Sequence, residues 1–281
     1  MRGAIRQAGR FSSTLPLNSL WWAKLDLLRT LVVRDLEARY KGAILGNFWS
    51  LLNQLCQLLI YTYVFAIVMR VKLNLPGLPQ NNLTFGLWMF AGLLPWTAFT
   101  NGLIPATVSV INQPNLVKKV VFPLSLLPLV PIFSAFIENS IGLVALILLI
   151  GITAQTVHAT LWLLPLVWIP QLLLTAGLSY LVAGLTVFLR DVPQSLSLLL
   201  NLWFYLTPIV YPASLIPEKW RVWIFWLNPM TPIVETYRNL LLQGTVNYLP
   251  ELGVVYLISL LVFIGGFSLY QKLRPGFPDV L

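Results

Sequence analysis

Charge is scarce in this chain. Only 10% of its 281 residues are Asp, Glu, Lys or Arg, against about 25% in soluble domains. A water-soluble surface of ordinary size cannot be built from so few charges. There is one cysteine, Cys56, so no intrachain disulfide and no redox framework exists. The single histidine, His158, together with that cysteine cannot assemble a metal cluster. No Gly-x-x-x-x-Gly-Lys-Ser/Thr loop occurs, which excludes nucleotide hydrolysis by this chain through a Walker loop. No pair of acids falls inside an apolar run, so a proton or sodium relay is not indicated. Residues 1 to 19 contain no apolar stretch long enough for a signal peptide, and the first span is expected to act as the insertion signal. Internal repeats, low-complexity tracts and a linker to a second domain are also absent from the sequence.

Apolar residues fill the space left by charge. They make up 58% of the chain, with a mean hydropathy of +0.80, the composition of an integral membrane protein. Six runs have the length and character of spans: about Ile44 to Met69, Leu83 to Val110, Phe122 to Ile150, Leu161 to Leu189, Leu196 to Val210 and Leu252 to Tyr270. Pro95 and Pro105 predict a kink or break in the second, near Leu94. The net charge of +9 does not indicate nucleic acid, because the basic residues flank apolar runs and form no soluble domain. They are topological signals and contacts for anionic lipid. With the N-terminus inside, thirteen of the eighteen Lys and Arg residues fall on the inner side, among them Arg34, Arg39, Lys118, Lys119, Arg190 and Arg274; Arg70, Lys72, Lys219, Arg221 and Arg238 fall outside. This bias predicts both termini in the cytoplasm.

The junction Leu31-Val-Val-Arg-Asp-Leu-Glu-Ala-Arg-Tyr-Lys-Gly-Ala-Ile-Leu-Gly-Asn-Phe-Trp49 places a charged, amphipathic stretch directly before the first span. It predicts an interface helix with Leu20, Trp21, Leu25, Leu28, Val32 and Leu36 on its buried side. Gly42 and Gly46 read either as a close-packing Gly-x-x-x-Gly pair or as a hinge, with the hinge favoured. At the other end of the chain, Tyr211 to Pro250 is cut by prolines into pieces too short to cross a bilayer and carries Trp220, Trp223 and Trp226. Two short outer helices are expected there, about Pro217 to Leu227 and Pro232 to Gln243, dipping back as a re-entrant pair. Glu235 and Arg238, three apart, can pair on one helix face.

Other residues admit two readings. Glu138 is the one acid deep in a span, and reads either as an interhelical hydrogen-bonding group or as part of a pathway. Lys118 and Lys119 read as topological anchors or, within the short helix-like run Asn115 to Pro123, as part of a loop that a cytoplasmic partner grips. Tyr61, Tyr63, Phe65, Phe90, Trp96, Phe99, Phe204 and Tyr205 read first as packing and interface anchors. The sharper alternative is a lining whose ring faces stack on pyranose rings without binding them tightly.

In order and spacing, four segments resemble the membrane subunit of ABC-2 exporters of polysaccharide, O-antigen or teichoic acid: Arg34-Asp35 to Trp49; Asn115-Leu-Val-Lys-Lys-Val-Val-Phe-Pro-Leu-Ser-Leu-Leu-Pro128; Phe188-Leu-Arg-Asp-Val-Pro193 continuing to Phe204-Tyr-Leu-Thr-Pro-Ile-Val-Tyr-Pro212; and Asn228-Pro-Met-Thr-Pro-Ile-Val-Glu-Thr-Tyr-Arg238. The resemblance runs from about Leu25 to Arg274. The chain departs from the family at Ala43, where a small hydroxyl residue is common, and at Leu-Leu-Asn53-Gln54, where a proline often follows the Trp49 motif.

The resemblance implies an all-α integral membrane fold in a bacterial cytoplasmic membrane. It comprises a cytoplasmic segment 1–43, a six-span domain 44–274 with an inner loop 112–121 and an outer segment 211–250, and a cytoplasmic tail 275–281. It implies a homodimer that meets a separate ATPase, which holds ATP and magnesium, and that exports a lipid-linked glycan, with no cofactor on this chain. By the same resemblance Asn115, Leu116, Lys118, Lys119 and Phe122 form the coupling loop, while Arg34, Asp35, Arg39, Tyr40, Gly46 and Trp49 form the interface-helix junction. Tyr211, Trp220, Trp223, Pro232, Glu235 and Arg238 form an outer gate, and Tyr61, Tyr63, Phe90, Trp96, Phe204 and Tyr205 are candidates for the channel wall. Export of a drug or small lipid is the alternative within the same fold. A membrane-embedded lipid-modifying enzyme is a third reading, one that lacks the clustered acids or histidines it would need.

Overall fold

The computed structural model describes residues 17–39, 41–43, 46, 48–68, 70, 82–118, 122–154 and 158–281. Among them every regular element is helical. Helix α1 (Leu17–Arg39) precedes α2 (Phe48–Thr62), which continues as a π-helical turn, Tyr63–Val68. Then come α3 (Asn82–Thr107), the one-turn α4 (Pro114–Val117), α5 (Leu129–Ala154), α6 (Leu164–Phe188) and α7 (Val192–Leu206). The outer segment forms α8 (Glu218–Leu227) and α9 (Met230–Arg238), the latter prolonged by a π-helical turn, Asn239–Gln243. The long α10 (Leu249–Leu273) leads to the short terminal α11 (Phe277–Val280).

Helix α3 is apolar on every side, and a helix of that kind must be surrounded. It is the centre of the bundle, buried almost throughout from Thr84 to Thr107 and packed by α2, α5, α6, α7 and α9. It does not break at Leu94: one continuous helix runs through both Pro95 and Pro105. Neighbouring helices serve the backbone there. Asn139 Nδ2 donates to the Leu94 carbonyl at 2.5 Å, and Gln171 Nε2 donates to the Pro95 carbonyl at 2.8 Å. These bonds tie α5 and α6 to the middle of α3.

Five helical stretches among the described residues are long and apolar enough to cross a membrane: Leu51–Val68, Asn82–Thr107, Leu124–Thr153, Ala159–Phe188 and Leu249–Val280. The fifth of the six expected spans corresponds to α7, which has 15 residues. At 1.5 Å per residue it is about 22 Å long, short of the ~30 Å hydrocarbon thickness. Its run ends at the Thr207-Pro208 step, where Pro208 cannot continue the helical hydrogen-bond ladder.

Helix α1 turns only part of its expected apolar face onto the bundle. Val32 is buried and Leu28 and Leu36 are half-buried, but Trp21 and Leu25 are exposed. Among the described residues α1 packs on the bundle chiefly through α5, and the ties run from its C-terminal half, which leaves Trp21 and Leu25 on the protein surface, where an interface helix meets lipid. Gly42 and Gly46 lie outside helix, both with positive φ, +84° and +48°, and a Cβ at either would meet nothing within 4 Å in this chain.

Two packed clusters organise the interior. The larger surrounds α3 and α9. The smaller lies where α4, α6, α10 and α11 meet, around Val117, Tyr180, Tyr270 and Phe277. Tyr180 and Tyr270 donate to the carbonyls of Ser125 and Leu124, each at 2.9 Å, and Phe277 is fully buried. The last residues therefore form a docked element beneath α4. Helices α6 and α10 cross at glycines: a Cβ on Gly177 would stand 2.6 Å from the Phe263 backbone, and one on Gly266 would strike the Gly177 carbonyl. Backbone-to-backbone approach of this kind is how membrane helices gain contact without a hydrophobic drive.

Gly177→Leu is expected to destabilise the protein by about 1–3 kcal/mol or more through overpacking. Gly265→Leu, where a Cβ meets nothing within 4 Å, is expected to be neutral. Thermal unfolding of the detergent-purified protein distinguishes the two.

Candidate functional site

Helix α9 is buried over its whole length, while α8 lies on the surface. Arg238 is fully buried, and the surrounding elements answer its guanidinium. Nη1 donates to Glu235 Oε1 at 2.7 Å and to the Pro208 carbonyl at 2.6 Å. Nη2 donates to the Ile209 carbonyl at 2.5 Å and Nε to the Trp88 carbonyl at 3.3 Å. The guanidinium carbon stands 3.5 Å from the centroid of the Trp88 ring. Gly92 makes the room, since a Cβ there would collide with the guanidinium. A charge in an apolar interior is tolerated only when paired and hydrogen-bonded in this way. Asn228 adds a second tie. It accepts from Trp203 Nε1 at 2.8 Å and from the Met230 N–H at 3.1 Å, and donates to Thr207 Oγ1 at 2.9 Å. The end of α7 and the start of α9 are thereby locked together.

Among the predicted outer residues, Glu235, Arg238 and Pro232 thus lie inside the protein, whereas Trp220 and Trp223 are exposed on α8. Tyr211 follows α7 and donates to the Tyr205 carbonyl at 3.0 Å. Burial holds its phenol above the ordinary value, so it remains a neutral donor at physiological pH.

A polar cleft of about 510 Å³ opens between α2, α3, α5 and α7. Four of the six candidate wall residues meet there: Tyr61, Trp96, Phe204 and Tyr205. Tyr61 stacks with Phe204 at 6.4 Å, and Phe204 stands edge-on to Tyr205 at 5.2 Å. Phe90 is not on this cleft; it is buried in the core, because the central helix is enclosed on all sides. Tyr63 is also off the cleft, exposed on the π-helical turn after α2. The sequence reading missed the polar half of the wall, which includes Asn53, Gln57, Thr97, Asn101 and Asn201. A signal for it was present: amides recurring in apolar runs that have no other use for them.

Glu138 lines the same cleft and makes an interhelical contact. Its Oε2 accepts from Arg39 Nη1 at 3.1 Å, while Arg39 also donates from Nε to Asp35 Oδ2 at 2.9 Å. The acid is at once an interhelical tie and a cleft residue. Through it the last turn of α1 is joined to the cleft wall on α5.

A second cleft, of about 340 Å³, lies at the inner end. Arg34 and Asp35 of α1 line it with Leu116 of α4 and with Pro105, Gln113 and Pro131. Asn115 and Lys118 are exposed beside it, while Phe122 is half-buried against the inner cluster. Gly46 is half-buried and Trp49 exposed at the start of α2. Tyr40 and Lys119 lie outside the described residues.

Two outcomes test these assignments. Arg238→Lys is expected to fail as a replacement for Arg238, losing about 3–5 kcal/mol or much of the folded yield, because a point charge cannot reach three carbonyls and a carboxylate in one plane. Fluorescence size-exclusion profiles of the two proteins measure this. For Arg39→Ala and Glu138→Ala, a double-mutant cycle on thermal stability is expected to give a coupling of about 0.5–3 kcal/mol. A coupling indistinguishable from zero would show that the contact contributes nothing.

Comparison with known proteins places this arrangement. The family model for ABC-2 type transporters matches residues 26–242. A protein of Klebsiella pneumoniae named O-antigen export system permease protein RfbA is 31% identical over 257 residues, covering 91% of this chain and 95% of that protein. A protein of the same name from Myxococcus xanthus is 32% identical over 257 residues, covering 90% and 94%. With matching extending through α1 to the π-helical turn after α9 and with an all-helical, multi-pass bundle, the chain belongs to the ABC-2 type transporter family as a membrane permease subunit.

Proposed function

We propose that this chain is the permease of an ATP-driven exporter that moves a lipid-linked polysaccharide, of the O-antigen, capsule or teichoic acid type, out across a bacterial cytoplasmic membrane. The observation that carries the reading is the cleft between α2, α3, α5 and α7, walled by amides, hydroxyls and aromatic rings inside an otherwise apolar bundle. Hydroxyl-rich cargo needs hydrogen-bonding groups, and ring faces suit a chain that must slide. The relatives, named O-antigen export permeases, point the same way.

In this proposal two copies assemble so that the clefts face one path. The exposed apolar faces of α2 and α7, with Leu59, Ile67, Leu198 and Leu202, supply surfaces for lipid and for the second copy. The chain crosses six times, with α7 as a short fifth span and the locked α7–α9 assembly as a re-entrant outer gate. Both termini lie in the cytoplasm. ATP and magnesium sit on a separate ATPase, which docks at the inner end on α1 and α4. Closing of that partner moves α1, and the Arg39–Glu138 ion pair passes the displacement to the cleft wall. Arg39 is thus a positioning residue for the wall.

Co-purification from native membranes in mild detergent tests the proposal. A Walker-motif subunit in equal amount with this chain is expected, and recovery of the chain alone after crosslinking would overturn the reading. Lys118→Glu is expected to abolish export and weaken that co-purification while membrane insertion stays normal. Normal export in that variant would remove Lys118 from the docking surface.

A further inference from the structure

Within the cleft, the positions of amides and charges narrow the chemistry of what passes. We infer that the cleft selects an electroneutral, hydroxyl-rich chain and disfavours a polyanion, an inference that rests on the polysaccharide reading above. Among the described residues lining it no Lys or Arg occurs, and the one charged group among them, Glu138, already holds the Arg39 guanidinium. Exposed amides stand on three different helices around it: Asn53 on α2, Asn101 on α3 and Asn201 on α7.

Amides in membrane helices often serve helix association, and two here do: Asn139 and Gln171 are buried and bonded to the carbonyls of Leu94 and Pro95. Asn53, Asn101 and Asn201 differ, being exposed and opening onto the cleft. An amide facing hydrocarbon loses its hydrogen bonds, so such a trio belongs beside water or a polar ligand. Each offers one carbonyl acceptor and two N–H donors, which match a hydroxyl in either role. A carboxylate or phosphate needs a cation or several converging N–H groups, and nothing in the lining supplies a free cation. In a low-dielectric wall an uncompensated anion is costly, and the Arg39 guanidinium beside the cleft is already engaged by Glu138 and Asp35. Neutral sugar is therefore accepted on hydrogen bonds and ring faces, while each uronate or phosphodiester on a chain meets a barrier.

The test uses the full chain, with whatever subunit accompanies it from the membrane, in lipid nanodiscs. Saturation-transfer NMR is recorded with maltoheptaose as neutral probe and an oligogalacturonate of matched length as anionic probe. Transfer to the neutral chain is expected, with transfer to the anionic chain about tenfold weaker at low salt. Asn101→Leu combined with Asn201→Leu is expected to weaken the neutral signal about fivefold or more, and Asn201→Lys to raise the anionic one. Should the double variant fail to fold, Asn53→Leu carries the same expectation at a site on another helix. Equal transfer to both probes overturns charge selection while leaving the polysaccharide reading intact. Unchanged neutral binding in a folded leucine variant removes the amides from the site. Transfer to neither probe overturns the polysaccharide reading and this inference with it.

Discussion

A full positive charge buried in an apolar bundle constrains everything around it, and Arg238 is that charge. Its guanidinium needs acceptors that water would otherwise provide, so the chain brings them: the Glu235 carboxylate, the carbonyls of Pro208, Ile209 and Trp88, and the face of the Trp88 ring. Three separate stretches are held in register by one side chain. The break after α7 is stabilised because Pro208 and Ile209 present their carbonyls to it, and the opening of α3 is held because Trp88 does the same. Gly92 follows from this demand rather than from any preference for glycine in a helix, where it costs stability relative to alanine. The end of α7 and all of α9 are thus tied together, while α8 with its exposed tryptophans lies at the surface.

The inner end is built on a second charged contact with a different character. Arg39 is partly exposed and shared between Asp35 on its own helix and Glu138 on α5. Such a pair is weaker than a fully enclosed one, since solvent screens it. Between the two lies the polar cleft, reached by α1 through Glu138 and bounded by the α7 helix that the outer cluster anchors.

Much of this was legible in residue pattern because membrane insertion is a matter of local composition. Run length and basic flanks located the long helices to within a few residues. Proline spacing located the two short outer helices: the expected Pro217 to Leu227 and Pro232 to Gln243 meet Glu218–Leu227 and Met230–Arg238 with its π-helical extension. The Glu235–Arg238 pairing followed from helical periodicity. What pattern did not reveal was direction. Phe90 and Trp96 are both aromatic residues of one helix, yet one is enclosed and the other reaches the cleft, a difference set by which neighbours surround α3.

The sequence by itself determined that the chain is an all-helical membrane protein without a nucleotide-hydrolysing loop, and where its apolar helices run, because hydrophobicity and charge act residue by residue. Only the tertiary structure decided that Glu138 is joined to Arg39 99 positions away, that Arg238 is an anchor at the core, and that amides on three helices face one cleft. Those relations depend on helix rotation and crossing. Both are set by small residues at contacts such as Gly177 and Gly266 and by the requirement that each buried polar group find a partner. No single stretch of sequence encodes that sum.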